Sequence, residues 1–348
     1  MTEKGFISTK RFLPFFLTQA LGAFNDNVFK NALMLMLAYS AASALPWDTD
    51  LTMNLAAGLF ILPFLLFSAT AGALADTWCK SRLIRALKLI EIMLMLLGGI
   101  AFVTEQYLLL LGVLFLMGAQ SAFFGPAKYA ILPQLLTDKE LLAGNAWVEM
   151  GTFVAILLGT ISGGLLVGMA DAPLWVGVVV VVFSLLGYVA SRQIPLVGKV
   201  GNPAPFRFAP WQQTKTTISI SYQNRTLYLS IMAISWFWFL GASYLTQFPN
   251  YTKEVLAGDN TVVTALLVAF SVGVGVGSML CERLSGDRVE LGIVPVGALG
   301  LTVFGVGLYL ASPAAPATEL LNLAQFISTA QGMAVLINLS LIGVFGGL

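Results

Sequence analysis

The sequence predicts an all-α integral membrane protein, and three observations support this fold class. Hydrophobic residues make up 58% of the 348 residues, and charged residues only 10%. The mean hydropathy is +0.86, so the chain has too few polar side chains to cover a water-facing surface. Its apolar segments are about 20 residues long, the length at which an α-helix crosses a hydrocarbon core of roughly 30 Å. Together these features predict a bundle of membrane-spanning helices.

Ten segments have this character. The predicted spans are residues 12–42, 55–75, 83–103, 108–129, 147–169, 174–190, 227–247, 262–280, 291–310 and 333–348. The tenth is the shortest, and the chain reaches Leu348 without the charged anchor that usually ends a span at the interface. We therefore expect a longer bundle, of which about ten spans out of twelve are present.

A polar segment that begins at Pro195 divides the predicted spans into six and four. This pattern is typical of a carrier built from two six-helix bundles, with the second one truncated here. It predicts an N-terminal bundle at residues 1–194, a cytoplasmic linker at 195–224 and a C-terminal bundle at 225–348 with about four of its six helices. Most basic residues lie in segments on one side of these spans, which by the positive-inside rule makes the N-terminus cytoplasmic.

Composition excludes several chemistries. The chain has no histidine, so the usual zinc sites, histidine triads and histidine proton relays are not expected. Cys79 and Cys281 both map to the predicted cytoplasmic side, where thiols stay reduced. No glycine-rich loop precedes a Lys-Ser or Lys-Thr pair, and the net charge of +1 does not favour nucleic acid as a partner. We expect no cofactor, no metal and no enzymatic site within this chain.

The first span carries an unusual polar run, Phe24-Asn25-Asp26-Asn27, followed by Lys30. A carboxylate at the middle of a span costs roughly 2.5–3.5 kcal/mol on insertion scales, so such residues are most often functional. Asp26, Asn27 and Lys30 are therefore candidate transport residues. The alternative is an internal ion pair, because Asp26 and Lys30 are four positions apart and share one helix face.

Four further polar residues lie in or near the spans. Lys128, two residues after Pro126, is a candidate cation for a phosphate, although a snorkelling side chain is the alternative. Asn145 and Glu149 share a face of span five, where they either bind substrate and titrate or join helices by hydrogen bonds. Glu91 follows Lys88 by three positions. This spacing favours a local ion pair over a role for Glu91 as a proton relay.

The loop after span two contains a recognisable spacing, Gly72-x-Leu74-x-Asp76-x-x-x-Lys80-x-Arg82. It resembles the signature of the major facilitator superfamily, with Thr77 and Cys79 replacing a basic residue and a glycine. In that motif, Gly72 is expected to let helices approach closely. Asp76 is expected to pair with a helix N-terminus or a basic residue in one gate state, and Lys80 and Arg82 complete the gating motif.

Three other segments are similar to the lysophospholipid transporter family. They are Phe24–Asn27, the run Gly125-Pro-Ala-Lys128-Tyr-Ala-Ile-Leu132, and Asn145-Ala-Trp-Val-Glu149 followed by 155–159. The resemblance implies alternating-access movement of lysophosphatidylethanolamine or lysophosphatidylglycerol inward across the bacterial inner membrane. It also implies re-acylation by a cytoplasmic acyltransferase and an acyl-activating enzyme, separate or fused. Span seven departs from the family because no arginine or lysine lies between Arg225 and Lys253.

Two other functions remain open on the sequence. A proton-coupled small-solute or drug carrier of the same superfamily would use Asp26 or Glu149 as its proton site. A membrane anchor for a fused acyltransferase would transport nothing and would tolerate loss of Asp26.

Overall fold

The computed structural model describes residues 5–39, 49–197, 206, 208–285, 290–313 and 320–348. Its helices are α1 (Leu13–Tyr39), α2 (Thr49–Thr77), α3 (Lys80–Val103), α4 (Tyr107–Leu135), α5 (Leu141–Val167), α6 (Ala172–Arg192), α7 (Pro210–Gln223), α8 (Arg225–Asn250), α9 (Asn260–Ser285), α10 (Ile293–Ala311), α11 (Leu323–Ser328) and α12 (Ala330–Gly347). A short π-helical turn, Tyr251–Val255, follows α8.

In the part of the chain that the structure describes, ten long helices occupy the ten predicted spans, and α7 and α11 are short additions. Within the described residues, eight of the helices are long and apolar enough to cross a membrane: α2 to α6, α9, α10 and α12. The predicted end of the fourth span at residue 129 was wrong, because α4 continues to Leu135 through Pro126 and Pro133. Prolines are tolerated inside membrane helices, where neighbouring groups satisfy the backbone that they free.

The chain divides into two compact units. Unit 1 contains residues 1–144 and 158–219, and unit 2 contains residues 145–157 and 220–348. The break between Ser219 and Ile220 falls inside the linker predicted at 195–224, and the segment 145–157 of α5 belongs to unit 2. The bundle boundaries drawn from the sequence stay a prediction.

Glycines bring the helices of unit 1 into backbone contact. A Cβ atom at Gly163 would lie 2.8 Å from the Val28 carbonyl oxygen of α1, and one at Gly159 would collide with the Phe24 carbonyl. Gly99 of α3 and Gly177 of α6 face each other in the same way. Because lipid tails are as apolar as leucine, helices in a membrane associate largely through such close packing. The Gly159-x-x-x-Gly163 pair thus packs α5 against α1.

The start of α3 holds the end of α6 through hydrogen bonds. The Arg85 guanidinium donates to the carbonyls of Ser191, Arg192 and Ile194 at 3.2, 3.1 and 2.6 Å. The last carbonyls of a helix lack partners within the helix, and a cation at this end is favourable. The Ser81 hydroxyl extends this contact by donating to the Pro195 carbonyl at 2.6 Å.

Unit 2 is built around the contact of α9 with α12. Cβ atoms at Gly273 and Gly277 would collide with the carbonyls of Ser340 and Val344. The surrounding core contains Phe248, Phe270 and Leu339 among its buried residues. The Asp259 carboxylate caps the start of α9 by accepting from the Thr261 backbone N–H at 2.8 Å.

An ion pair outside the spans joins the segment before α1 to the residue before α5. Arg11 contacts the Glu140 carboxylate, and Glu140 also accepts from the backbone N–H and hydroxyl of Thr137 at 2.9 and 2.8 Å. The Thr137 N–H, its hydroxyl and Arg11 favour the ionised carboxylate and hold the pKa of Glu140 below its ordinary value of 4.5.

Gly277→Ala should destabilise the protein, because the new methyl group has no room beside the Val344 carbonyl. Overpacking of this kind costs about 1–3 kcal/mol. Thermal unfolding in detergent measures the effect. Gly112→Ala is the matched control in α4, since a Cβ atom at Gly112 meets nothing within 4 Å. Equal melting temperatures for the two variants would contradict the α9–α12 contact.

The Arg11–Glu140 pair should make stability depend on pH in the acid range. A carboxylate whose pKa is lower when folded stabilises the protein above its unfolded pKa, and the contribution disappears as pH falls through the folded pKa. The melting temperature of the parent should therefore drop more steeply below about pH 4.5 than that of Glu140→Gln. Glu105→Gln, the same change in an exposed loop, should keep the parental profile.

Candidate functional site

The polar run of α1 distributes its side chains among several neighbouring helices. Successive residues of an α-helix point about 100° apart, so a short run reaches every side of the helix. Asp26 faces α4, Asn31 faces α5 and Lys30 faces α2, as their contacts show. Asn25 is fully buried, and neither polar atom of its side chain has a hydrogen-bond partner among the described residues.

Asp26 is bound by one hydroxyl group. The Ser121 Oγ of α4 donates to Asp26 Oδ2 at 2.9 Å, while Asp26 Oδ1 is buried without a partner in the described part of the chain. The alternative Asp26–Lys30 ion pair is not formed among the described residues. Instead, the Lys30 ammonium lies 5.1 Å from the ring centre of Phe60, a cation–π contact. The carboxylate therefore keeps an unused acceptor.

Asn27 and Asn31 lie in the contact between α1 and α5. The Asn27 amide donates to the Ala23 carbonyl of its own helix at 2.7 Å, and the side chain is only 7% exposed. The Asn31 amide donates to the Thr160 carbonyl at 2.7 Å. Asn27 packs beside Gly159 in this helix contact, and its predicted role in transport stays a prediction.

Lys88 and Glu91 form the predicted ion pair, which is confirmed. Lys88 Nζ lies 2.7 Å from Glu91 Oε2, and the two side chains are 2% and 3% exposed. The Gln120 amide of α4 donates to the same Glu91 oxygen at 3.3 Å and to the Leu87 carbonyl at 3.4 Å. The Lys88 ammonium also lies 5.4 Å from the ring centre of Phe124.

The ion pair and Asp26 belong to one hydrogen-bonded cluster across three helices. Gln120 and Ser121 are consecutive, and Ser121 Oγ lies 3.3 Å from Gln120 Oε1 as well as 2.9 Å from Asp26 Oδ2. Sequence reasoning missed both residues. The available signal was the pair of adjacent polar residues in the middle of an apolar span. We call Asp26, Lys88, Glu91, Gln120 and Ser121 the buried polar cluster.

Two glycines make room for the Lys88 side chain. A Cβ atom at Gly22 of α1 would collide with Lys88 Nζ, and one at Gly187 of α6 would lie 3.4 Å from it. Four helices therefore surround this ammonium, since α4 contributes the Phe124 ring and α3 carries Lys88 itself. A buried charge is expensive unless it is paired, and here Glu91 provides the pairing.

The other candidates lie outside this cluster. Lys128 is 9% exposed, and its ammonium lies 5.1 Å from the ring centre of Tyr129. Asn145 is exposed and Glu149 half-buried, and both belong to the part of α5 in unit 2. Their functional roles stay predictions. Among the described residues, no group of three or more histidine, cysteine, aspartate or glutamate residues is arranged to hold a metal ion.

The loop motif is only partly arranged as expected. Asp76 and Arg82 are exposed and Lys80 is 5% exposed. A Cβ atom at Gly72 would meet nothing within 4 Å among the described residues, so this conformation does not contain the close helix approach expected there. The neighbouring Cys79 thiol donates to the Val197 carbonyl at 3.1 Å, so it contacts the segment that follows α6.

Comparison with known proteins gives consistent matches. The sequence profile of the Major Facilitator Superfamily matches residues 15–346. The lysophospholipid transporter LplT of Cronobacter sakazakii is 27% identical over 333 residues, covering 93% of this chain and 79% of the relative. LplT of Escherichia fergusonii is 28% identical over 292 residues, covering 81% and 68%.

Two solved structures share the fold. The transporter FucP in the outward conformation superposes with a TM-score of 0.64 at 14% identity, over 97% of this chain and 90% of FucP. The proton:xylose symporter XylE superposes with a TM-score of 0.65 at 13% identity, over 99% and 80%. The all-α membrane fold expected from the sequence is thereby confirmed.

Breaking the buried ion pair should be costly, and removing it completely should cost less. Lys88→Met leaves the Glu91 charge buried without its partner, a loss of about 3–5 kcal/mol. The double variant Lys88→Met with Glu91→Leu should recover much of that stability. Chemical unfolding in detergent measures both, with Lys139→Met at an exposed position as the matched control. If Lys88→Met unfolds like Lys139→Met, the pair does not stabilise the fold.

Proposed function

Because this chain belongs to the major facilitator superfamily, we propose that it carries lysophospholipids inward across a bacterial inner membrane by alternating access. The observation that carries the proposal is the likeness to lysophospholipid transporters, about 27% identical over most of the chain. The unpaired oxygen of Asp26, within a helix expected to span the membrane, supports it. Such a carboxylate is costly unless it binds something.

The chemistry of a lysophospholipid fits the charged residues of unit 1. The headgroup of lysophosphatidylethanolamine carries an ammonium group and a phosphate, and that of lysophosphatidylglycerol carries hydroxyls and a phosphate. Asp26 would accept a hydrogen bond from the ammonium or hydroxyls through its unpaired Oδ1. Lys30 or Lys128 would contact the phosphate. The Lys30 ammonium lies over the Phe60 ring and the Lys128 ammonium over the Tyr129 ring.

The single acyl chain would remain in hydrocarbon, entering sideways between helices, so that the charged headgroup alone is desolvated within protein. Asn145 and Glu149 are proposed as further substrate contacts. The motif of Gly72, Asp76, Lys80 and Arg82 is proposed as the gate on the cytoplasmic side. This assignment places the N-terminus in the cytoplasm, in agreement with the distribution of basic residues.

The proposed partners follow from the leaflet to which the lysophospholipid is delivered. A lysophospholipid delivered to the inner leaflet is restored to a two-chain lipid only by acylation. A cytoplasmic acyltransferase and an enzyme that activates the acyl group, separate or fused, would therefore act on what this carrier delivers. Glu91 is proposed to act within the buried polar cluster rather than on the substrate, because its side chain is 3% exposed and paired with Lys88.

Uptake of labelled lysophosphatidylethanolamine should depend on Asp26. In cells that lack their own transporter, Asp26→Asn should lower uptake at least tenfold at equal expression. The physical reason is the loss of a charge-assisted hydrogen bond, which contributes about 1.5–3 kcal/mol. Asp138→Asn, the same chemical change at an exposed position after α4, is the matched control and should keep parental uptake.

The same experiment distinguishes the other functions. A well-expressed parent that takes up no lysolipid would overturn the proposal and favour a solute or drug carrier, whose transport follows the pH gradient. Parental activity in Asp26→Asn would remove Asp26 from the binding site. Uptake that appears only when an acyltransferase is co-expressed, regardless of Asp26, would favour a membrane anchor.

A further inference from the structure

We propose that Lys88, Glu91, Gln120 and Ser121 form a positioning network that fixes the orientation of the Asp26 carboxylate for the substrate headgroup. The inference rests on the proposed function for its substrate, although not for the network itself. None of these four residues was assigned a place beside Asp26 from the sequence. Each link of the network, from the ion pair to Asp26, is a contact between described residues of unit 1.

The first link fixes Glu91. Lys88 Nζ lies 2.7 Å from Glu91 Oε2, and both side chains are almost fully buried. Gly22 and Gly187 leave the space that Lys88 fills, and the Phe124 ring lies beside its ammonium. An ion pair at 3% exposure or less has little freedom to exchange its partner for water. The position of the Glu91 carboxylate is therefore set by packing and by charge.

The second link determines which way the Gln120 amide points. Its Nε2 is within hydrogen-bond distance of two acceptors, Glu91 Oε2 at 3.3 Å and the Leu87 carbonyl at 3.4 Å. Neither acceptor can donate, so the amide nitrogen must face α3 and the amide oxygen must face away from it. Gln120 Oε1 consequently points at the Ser121 hydroxyl, 3.3 Å away.

The third link is a hydroxyl with one proton and two acceptors. Ser121 Oγ lies 2.9 Å from Asp26 Oδ2 and 3.3 Å from Gln120 Oε1, and it can donate to only one of them at a time. With Asp26 unoccupied, the shorter, charge-assisted bond to the carboxylate is favoured. A headgroup ammonium can bind the unpaired Oδ1 while Ser121 continues to hold Oδ2. The network thus orients the Asp26 carboxylate and leaves one of its oxygens for the headgroup.

Unpartnered atoms in and beside the network argue against a purely structural connection between helices. Asp26 Oδ1, Glu91 Oε1 and both polar atoms of Asn25 are buried without partners among the described residues. Asn25 follows Gly22 by three positions, on the face of α1 that meets Lys88. Native structures leave few buried polar groups unpaired, and those that remain are frequent at functional sites. Apolar residues would join these helices without such a penalty.

The first arm of the test needs no substrate. Ser121→Ala, Glu91→Gln and Asp26→Asn are combined in pairs, and the melting temperatures in detergent are compared. If the network holds Asp26, the shift of the Ser121→Ala, Asp26→Asn double variant is smaller than the sum of the single shifts. Glu91→Gln with Asp26→Asn should behave likewise. Ser184→Ala is the matched control, since among the described residues this buried hydroxyl bonds only the Val181 carbonyl of its own helix, at 2.8 Å. It should be additive with Asp26→Asn.

The second arm tests positioning in transport by proteoliposomes. Ser121→Ala should raise the KM for lysophosphatidylethanolamine about tenfold, with kcat within about twofold, because the carboxylate is no longer oriented. Ser121→Thr retains the hydroxyl and should keep KM within about threefold of the parent. Ser184→Ala should leave both parameters unchanged.

Each outcome decides a separate point. Additive melting shifts for all pairs overturn the network, whatever the substrate. If the melting-temperature shifts are non-additive but Ser121→Ala leaves KM unchanged, the network only connects the helices. That result overturns its role in positioning Asp26. A parent that carries no lysolipid refutes the proposed function alone, and in that case the melting-temperature cycle supports or overturns the hold on Asp26 by itself.

Discussion

The burial of the Lys88–Glu91 ion pair is the interaction on which the rest of unit 1 depends. Two opposite charges can remain in an apolar interior only when they contact each other and when their surroundings are shaped around them. Here that requirement explains glycines on two other helices, at Gly22 and Gly187, whose missing side chains leave space for the lysine. It also explains Gln120, whose amide satisfies the same Glu91 oxygen. The pair therefore specifies residues on four helices.

Away from the buried charges, close backbone contacts at glycines hold the helices together. The hydrophobic effect does not drive helices together inside a lipid bilayer, because lipid tails are as apolar as the helices. Contact area and small residues therefore determine which helices associate. The structure places glycines at such contacts in both units, at Gly159 and Gly163 against α1 and at Gly273 and Gly277 against α12. The same α1–α5 contact takes up Asn27 and Asn31, so polar residues of the first helix serve packing as well as the candidate site.

The sequence was sufficient where the physics is local. Span length and apolarity predicted ten long helices, and the three-residue spacing of Lys88 and Glu91 predicted their pair. It was insufficient where partners are distant along the chain. Ser121 meets Asp26 across 95 positions, and no periodicity indicates which polar residue of one span faces which residue of another. A motif alone was also insufficient at Gly72. Its spacing predicted a close helix contact that this conformation does not contain.

Residues at the start of α3 hold the segment that follows α6, which is also the beginning of the predicted linker between the two bundles. Val197 is bonded on both sides of its peptide unit, by the Cys79 thiol to its carbonyl and by its N–H to Ser81. Together with Arg85, these residues clamp the segment from Ser191 to Val197 onto unit 1. The reach of the linker predicted at 195–224 is therefore shorter than its number of residues suggests, because its first residues are bonded to unit 1 and its Gln213 side chain accepts from the Thr70 hydroxyl at 2.6 Å.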